Sequence, residues 1–419
     1  MLKKVFIILF AGILTLNSLV FLAAGEPLSL PALIDEARKG NPEILAAKKR
    51  WEASLARVPQ AKSFDDSIVG AGFQYTPGSP FQLSKTPSME RMLSFSQFLP
   101  FFGKLSLKGK IAVVESQMFA SEYKNKELEI INGVKNAYYG LFINQKEIEL
   151  NQQSFELLRG LAKVAEAKYA VGDISQEEVY KIHLELARLN NTLENLGQEK
   201  LSRQTRLNAL LNKGPESPLG VPGLGEDTAF TADDIRQLYQ ETILNQPELA
   251  IFSYAIERNK YAKSLAKRSF FPDLMAGIAQ RGITTGTIGP WDLLLSFTLP
   301  IWFWTKQRYQ VKEAIANLEE AEAAYKAMQN RAFAEVKDLV TKIEIAKNKI
   351  QLYKTSLIPI IEGSIDSSLA AFRSGKGDFM MFLDSQRMLI ENKMDYYKAL
   401  VEYNISLADL ERVVGVELK

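Results

Sequence analysis

Trp291-Asp292-Leu293-Leu294-Leu295-Ser296-Phe297-Thr298-Leu299 is the stretch whose periodicity decides the fold. Its odd positions are Trp291, Leu293, Leu295, Phe297 and Leu299, and its even positions are Asp292, Leu294, Ser296 and Thr298. An apolar face thus alternates with a mostly polar one, as required of a strand with lipid on one side and water on the other. The same alternation recurs with Val69, Ala71, Phe73 and Tyr75 opposite Gly70, Gly72 and Gln74, and with Leu93 and Phe95 opposite Ser94 and Ser96. It recurs more weakly at Leu274, Ala276 and Ile278. Any one of these strands could belong to a soluble hairpin. Together they are four segments of about ten residues, the length that spans a bilayer when tilted.

Four strands cannot close a barrel, and lipid does not tolerate open sheet edges, so several chains must share one barrel. The segments between strands, Thr76 to Ser88 and Thr284 to Pro290, are polar or flexible and read as outer loops. Where each strand pair gives way to helix an aromatic cluster stands: Phe98, Phe101 and Phe102 beside Pro100, then Trp302, Phe303 and Trp304 beside Pro300. Such rings suit a membrane–water interface.

The rest of the chain reads as helix. Ile315, Leu318, Ala321, Tyr325, Met328, Ala332, Val336, Leu339, Ile343, Ala346, Ile350 and Tyr353 follow one another at three or four residues. Their mean spacing, about 3.5, is the heptad period of supercoiled helices. Phe333, Val340, Ile345 and Leu352 flank this stripe and are expected to widen it. Neither Phe101 to Ala170 nor Lys306 to Leu357 contains a proline; a helix of roughly 70 residues is on the order of 100 Å long. Helical periodicity by itself fits a coiled coil, and the strands argue for more than that.

An internal duplication organises both patterns. Asn41-Pro42-Glu43-Ile44 returns as Gln246-Pro247-Glu248-Leu249, Ser94 to Pro100 returns two residues shorter as Ser296 to Pro300, and Lys168 to Gly172 is echoed by Ala371 to Gly375, at offsets of 200 to 205 residues. The expected organisation is a signal peptide at 1–25, a first repeat at 26–213, a Pro- and Gly-rich linker at 214–230 and a second repeat at 231–419. Each repeat is expected to open a helix at Ser29 or Thr231 as N-cap, break it at Pro42 or Pro247, and continue through two strands, a long helix, a glycine turn and a further helix.

Composition excludes most chemistry. The 419 residues hold 51 Lys and Arg, 49 Asp and Glu, one His and no Cys. Disulfides, thiolate nucleophiles, zinc fingers and N-terminal lipidation at cysteine are therefore ruled out. His183 alone makes no two-His metal motif, and no catalytic site or cofactor is expected. Met380 and Met381 stand among Phe379, Phe382 and Leu383 and read as packing rather than as soft metal ligands. Lys3 and Lys4 followed by an apolar run ending at Ala23-Ala24-Gly25 form an export signal; an uncleaved anchor is the alternative. Beyond it the mature charges balance at 49 to 49, so no nucleic-acid partner is expected. Beyond residue 25 no apolar run approaches the roughly 18 residues of a membrane helix.

Leu28-Ser29-Leu30 leading to Asn41-Pro42-Glu43, Gln97-Phe98-Leu99-Pro100-Phe101-Phe102-Gly103-Lys104, and the turns after the two long helices, in this order, resemble the TolC-like outer-membrane factors over essentially the whole mature chain. The resemblance implies a mainly α protein with a membrane β-barrel part: a homotrimer forming a twelve-stranded barrel in outer-membrane lipid, continued by a long periplasmic α-helical barrel. It implies an exit duct of a tripartite efflux system that passively exports small molecules or ions, with a periplasmic adaptor and an inner-membrane pump as partners. A type I protein-secretion duct and a soluble periplasmic coiled-coil scaffold are the alternatives. The adaptor-contacting tips would be Val171, Gly172, Asp173 and Ser175 in one turn, and Gly375, Lys376 and Asp378 in the other. Family members can carry two pore-facing acids after the second tip; Asp384 stands at the second position, whereas Met381 occupies the first. Phe98, Phe101, Phe102, Trp302 and Trp304 would lie at the membrane interface.

Overall fold

The computed structural model describes residues 28–76, 88–223, 234–282, 289–374 and 379–418. The chain is mostly helical, 76% helix. In order the elements are α1 (Leu30–Gly40), α2 (Pro42–Lys62), β1 (Ile68–Thr76), β2 (Ser88–Leu99), α3 (Lys104–Ala170), α4 (Gln176–Leu210), α5 (Ile235–Asn245), α6 (Pro247–Arg268), β3 (Leu274–Arg281), β4 (Trp291–Phe297), α7 (Gln307–Leu352), a π-helical turn (Tyr353–Leu357), α8 (Ile358–Arg373) and α9 (Phe379–Val414). Among the described residues no helix is long and apolar enough to cross a membrane.

The helix breaks fall where proline dictates. α1 stops at Gly40 and α2 restarts at Pro42, with Asn41 Oδ1 accepting from the backbone N–H of Glu43 at 2.8 Å and of Ile44 at 3.3 Å. Proline lacks the N–H a continuing helix would need and fits the first turn of a new one. Gln246 and Pro247 make the corresponding break between α5 and α6. The expected caps differ from the observed ones. Ser29 has extended backbone before α1 but its hydroxyl makes no capping bond. Thr231 lies outside the described residues; α5 starts at Ile235, where Asp234 Oδ1 accepts from Arg236 N at 2.8 Å.

Two compact units divide the chain. The first takes residues 1–44, 127–242 and 334–419. One of its cores joins α5, α7 and α9 through Leu238, Val336, Ile343, Ala346, Leu410 and Val413. A second joins α3, α4, α8 and α9 through Leu158, Ala165, Ile182, Ile365, Phe372 and Phe382. Tyr138, buried on α3, donates to Gly223 O at 2.6 Å, beside the backbone bond from Leu28 N to Val221 O at 2.9 Å. This holds the segment after α4 and the chain before α1 against the helices. Burial raises the Tyr138 pKa above its ordinary value.

The second unit takes residues 45–126 and 243–333 and contains all four strands. Leu249, Met328 and Ala332 form its helical core, with Phe252 and Tyr325 packed against it. Trp51 stacks on Tyr123 at 6.0 Å between centroids, and Asn259 donates to Asn317 O at 3.1 Å.

The heptad stripe of α7 is buried from Leu318 to Ala346, with Ile315, Tyr325, Ile350 and Tyr353 partly so. Of its four flanking residues only Val340 is buried; Ile345 and Leu352 remain exposed, so the stripe is narrower than their apolar character predicts. The strands have nine, twelve, eight and seven residues rather than a uniform ten. β4 ends at Phe297 because the next pair in register keeps only one backbone bond, Thr298 N to Asp273 O at 2.9 Å, while Asp273 N donates to Thr298 Oγ1 at 2.9 Å instead of to its carbonyl.

Leu410 is fully buried in the α5–α7–α9 core. Leu410→Ala is expected to cost about 2–5 kcal/mol, the range for deleting a buried leucine. The check is the urea midpoint for loss of helical circular dichroism; an unchanged midpoint would contradict this packing.

Candidate functional site

The four strands form one antiparallel sheet in the order β1-β2-β3-β4. Residues opposite one another in antiparallel strands share a face, so the register shows how the separate alternations combine. Val69 pairs with Phe95, Phe95 with Ile278, and Ile278 with Leu293. Two rows along that face, past Gln97, Ala276 and Leu295, Leu99 pairs with Leu274 and Leu274 with Phe297. These rows lie on one face, which also carries Ala71, Phe73, Leu93, Leu295 and Trp291. That face is bare: Val69 is 75% exposed, Phe73 72% and Leu293 72%.

The opposite face carries Gly70, Ser94 and Ala279 in one row and Ser96 and Gly277 in the next. At Gly277 a Cβ would lie 3.0 Å from the backbone oxygen of Phe95, so a side chain is crowded there, whereas Gly72 on the same face meets nothing within 4 Å. Arg281 Nε pairs with Asp292 Oδ2 on the same face. Beyond the ends of the strands this ladder leaves the outer edges of β1 and β4 without a strand partner among the described residues.

At the strand–helix junction Phe101 stacks on Phe271 at 4.5 Å, and Asp273 Oδ1 accepts from Phe101 N at 2.6 Å and from Lys104 Nζ at 2.8 Å. Gly103 takes a φ of +82°, which turns the chain from strand into α3. Phe102 is 87% exposed, and Trp302 and Trp304 are exposed and in edge contact at 5.9 Å. Phe98 is partly buried. Four of the five aromatic candidates therefore come from the two stretches just past the strand ends, and Phe98 from β2 itself.

The first helical turn closes as a Schellman motif: Asp173 N donates to Lys168 O at 2.9 Å and Gly172 N to Tyr169 O at 3.0 Å, with Gly172 at φ +79°. Ser175 then caps α4, accepting from Glu178 N at 3.3 Å. Val171, Gly172, Asp173 and Ser175 are all exposed. The candidates Gly375, Lys376 and Asp378 lie outside the described residues, as do 77–87 and 283–288 within the two expected outer loops.

Met381 and Asp384 share one face of α9, three residues apart, at 64% and 66% exposure, while Phe382 and Leu383 between them are buried. Met381 is thus not part of the packing, although its neighbours are. Two residues absent from the sequence-based candidates complete the cluster. Arg387 grips Glu185 of α4 with two bonds, Nε to Oε1 at 3.2 Å and Nη2 to Oε2 at 2.6 Å, and its Nη1 lies 4.0 Å from Asp384 Oδ1. The Glu185 carboxylate raises the Arg387 pKa above its ordinary value. Glu185 retains only 13% side-chain exposure. No spacing rule could have paired residues 202 positions apart. His183 sits exposed, 3.1 Å from Glu166. Among the described residues no cluster of His, Cys, Asp or Glu could hold a metal ion.

A family model described as outer membrane efflux protein matches residues 33–213 and again 238–416. The cobalt-zinc-cadmium resistance protein CzcC of Cupriavidus metallidurans is 20% identical over 392 residues, covering 94% of this chain and 91% of that protein. Among solved structures, the outer-membrane channel OprN superposes with a TM-score of 0.80 at 17% identity, covering 92% of this chain and 89% of its own. The outer membrane protein VceC of Vibrio cholerae does so with a TM-score of 0.78 at 18% identity, covering 93% and 97%.

The Glu185–Arg387 pair ties α4 to α9 beside the exposed Asp384. Removing one partner leaves the other charge poorly solvated, at a cost of about 1–3 kcal/mol. Arg387→Gln is therefore expected to raise amide hydrogen exchange in the first turns of α9 by roughly tenfold; unchanged exchange would mean the pair does not hold the helix.

Proposed function

The chain belongs to the outer membrane efflux protein family, an outer-membrane channel for export extending into the periplasm, and we propose that three copies build one continuous duct. The carrying observation is the four-stranded sheet with one bare apolar face and two edges that this chain does not pair. In lipid every backbone N–H and C=O needs a partner, which only closure supplies. Three sheets give a twelve-stranded barrel, with the Val69–Phe95–Ile278–Leu293 face toward lipid and the Gly, Ser and Arg281–Asp292 face toward water. The helices continue the duct through the periplasm.

Two copies of one unit, at 26–213 and 231–419, joined by 214–230, account for the shared order of two helices, two strands and a long helix. The two separate matches of one family model support this division. Residues 1–25 act as the export signal. Phe98, Phe101, Phe102, Trp302 and Trp304 sit at the periplasmic membrane interface. The turn at Val171, Gly172, Asp173 and Ser175, with Gly375, Lys376 and Asp378, meets a periplasmic adaptor, which couples the duct to an inner-membrane pump.

The duct performs no chemistry: export is passive, through a water-filled path with a gate at its periplasmic end. Three Asp384 carboxylates form a ring that favours cations, and Met381 gives a second, apolar ring one helical turn away. The substrates are small molecules or ions, and the pump selects them. Cobalt, zinc and cadmium stand in the name of CzcC, and a carboxylate ring is compatible with metal ions of that charge.

Two outcomes check this reading. Leu295→Lys, on the lipid face, is expected to weaken membrane insertion by about 2–4 kcal/mol, read as protein recovered outside the outer-membrane fraction. Asp384→Ala is expected to reduce the cation-over-anion permeability ratio of single channels in planar bilayers. Permeability unaltered in that variant would remove Asp384 from the gate.

A further inference from the structure

Immediately below the apolar face of the sheet lies a cavity of about 440 Å³, within the size of small-ligand pockets, about 300–1,000 Å³. Leu99, Leu274 and Phe297, the last apolar row of that face, form its upper wall; Phe64, Phe102 and Leu105 close it below. Its wall therefore continues the lipid-facing surface inward, past the end of the strands. Leu99 and Leu274 belong to the inner strands β2 and β3, and Phe297 to the edge strand β4.

Its surroundings are cationic. Residues 62–66, 100–110, 267–273 and 306–308, which adjoin the strand ends, hold eight Lys or Arg and three acids. One of those acids, Asp273, is already bound by Lys104 at 2.8 Å. Lys62, Lys108, Lys267, Lys306 and Arg308 are exposed and form no ion pair among the described residues. Arg268 lies over Gly103, a wall residue of the cavity, and donates to Phe102 O. Lys62 lies across Gly109, beside Lys108, one turn along α3 from Leu105. An apolar chamber facing lipid, with unpaired cations at its watery rim, matches a molecule with an apolar tail and an anionic head.

We propose that this cavity binds one acyl chain of an anionic phospholipid from the periplasmic leaflet, with Lys62 and Arg268 holding the phosphate. The inference rests on the outer-membrane duct reading, which puts the strand–helix junction at the periplasmic face. Lysine and arginine stems lie along apolar surface while their heads reach the headgroup layer, and clustered cations there favour anionic lipid. The bound lipid would seat the duct at a fixed depth and fill a space that packing leaves empty.

The test uses the full-length assembled protein, delipidated in detergent, then mixed with phosphatidylglycerol or with phosphatidylcholine of the same chains. Native mass spectrometry counts the retained lipids, and insertion into vesicles of each lipid is measured in parallel. Retention of phosphatidylglycerol about tenfold above phosphatidylcholine is expected. Lys62→Gln alone should lower that preference, and Lys62→Gln with Arg268→Gln should bring it near parity. Leu105→Trp, which fills the cavity, should abolish retention of both lipids while insertion persists. Equal retention of the two lipids by the unaltered protein, or full retention by Leu105→Trp, overturns the proposal alone. So does a crosslink from Leu105→Cys to a second copy, which would place protein in the cavity. Failure to insert into either vesicle overturns the duct reading and the proposal with it.

Discussion

An unpaired backbone edge cannot stay in hydrocarbon. Each exposed N–H or C=O there costs several kcal/mol, and this chain presents a sheet of four strands with β1 at one end and β4 at the other. The same sheet bares an apolar face that water would not tolerate as a free surface. Under the proposed duct both difficulties have a common solution, in which lipid covers the face and further copies cover the edges. At the first junction Gly103, with Asp273 holding Phe101 and Lys104, turns β2 abruptly into α3.

The helical part follows a different logic. On α7 and α9 the packing runs along one stripe and leaves another face free of the chain's own contacts, whereas α3 has no exposed residue between 131 and 150. Ile345 and Leu352 on α7 stay exposed despite being apolar, and Met381 and Asp384 stay exposed on α9 while Phe382 and Leu383 go inward.

The turn at Gly172 and the contact between α4 and α9 differ in how much of them local sequence reveals. The Schellman turn at Gly172 is readable because positive φ and glycine go together. Asp384 is identifiable only by resemblance, and its neighbours Arg387 and Glu185 are identifiable by neither resemblance nor pattern. They come from helices that meet only after both turns are made. Met381 makes the same point in reverse: its apolar neighbours suggest packing, but helical phase puts it outside.

Sequence by itself determined the classes of element and their order: alternation at period two set four strands, the stripe near 3.5 set long helices, and prolines 42 and 247 set the breaks. These depend on interactions within a few residues, so spacing encodes them. The absence of Cys and the single His likewise settled what chemistry the chain lacks. Only the tertiary structure decided that all four strands share one sheet, that Val69, Phe95, Ile278 and Leu293 form one row, and that Glu185 meets Arg387. It also decided that a cavity opens under that row among unpaired cations. These are contacts between residues up to hundreds of positions apart, set by register and packing, and no local periodicity carries that information.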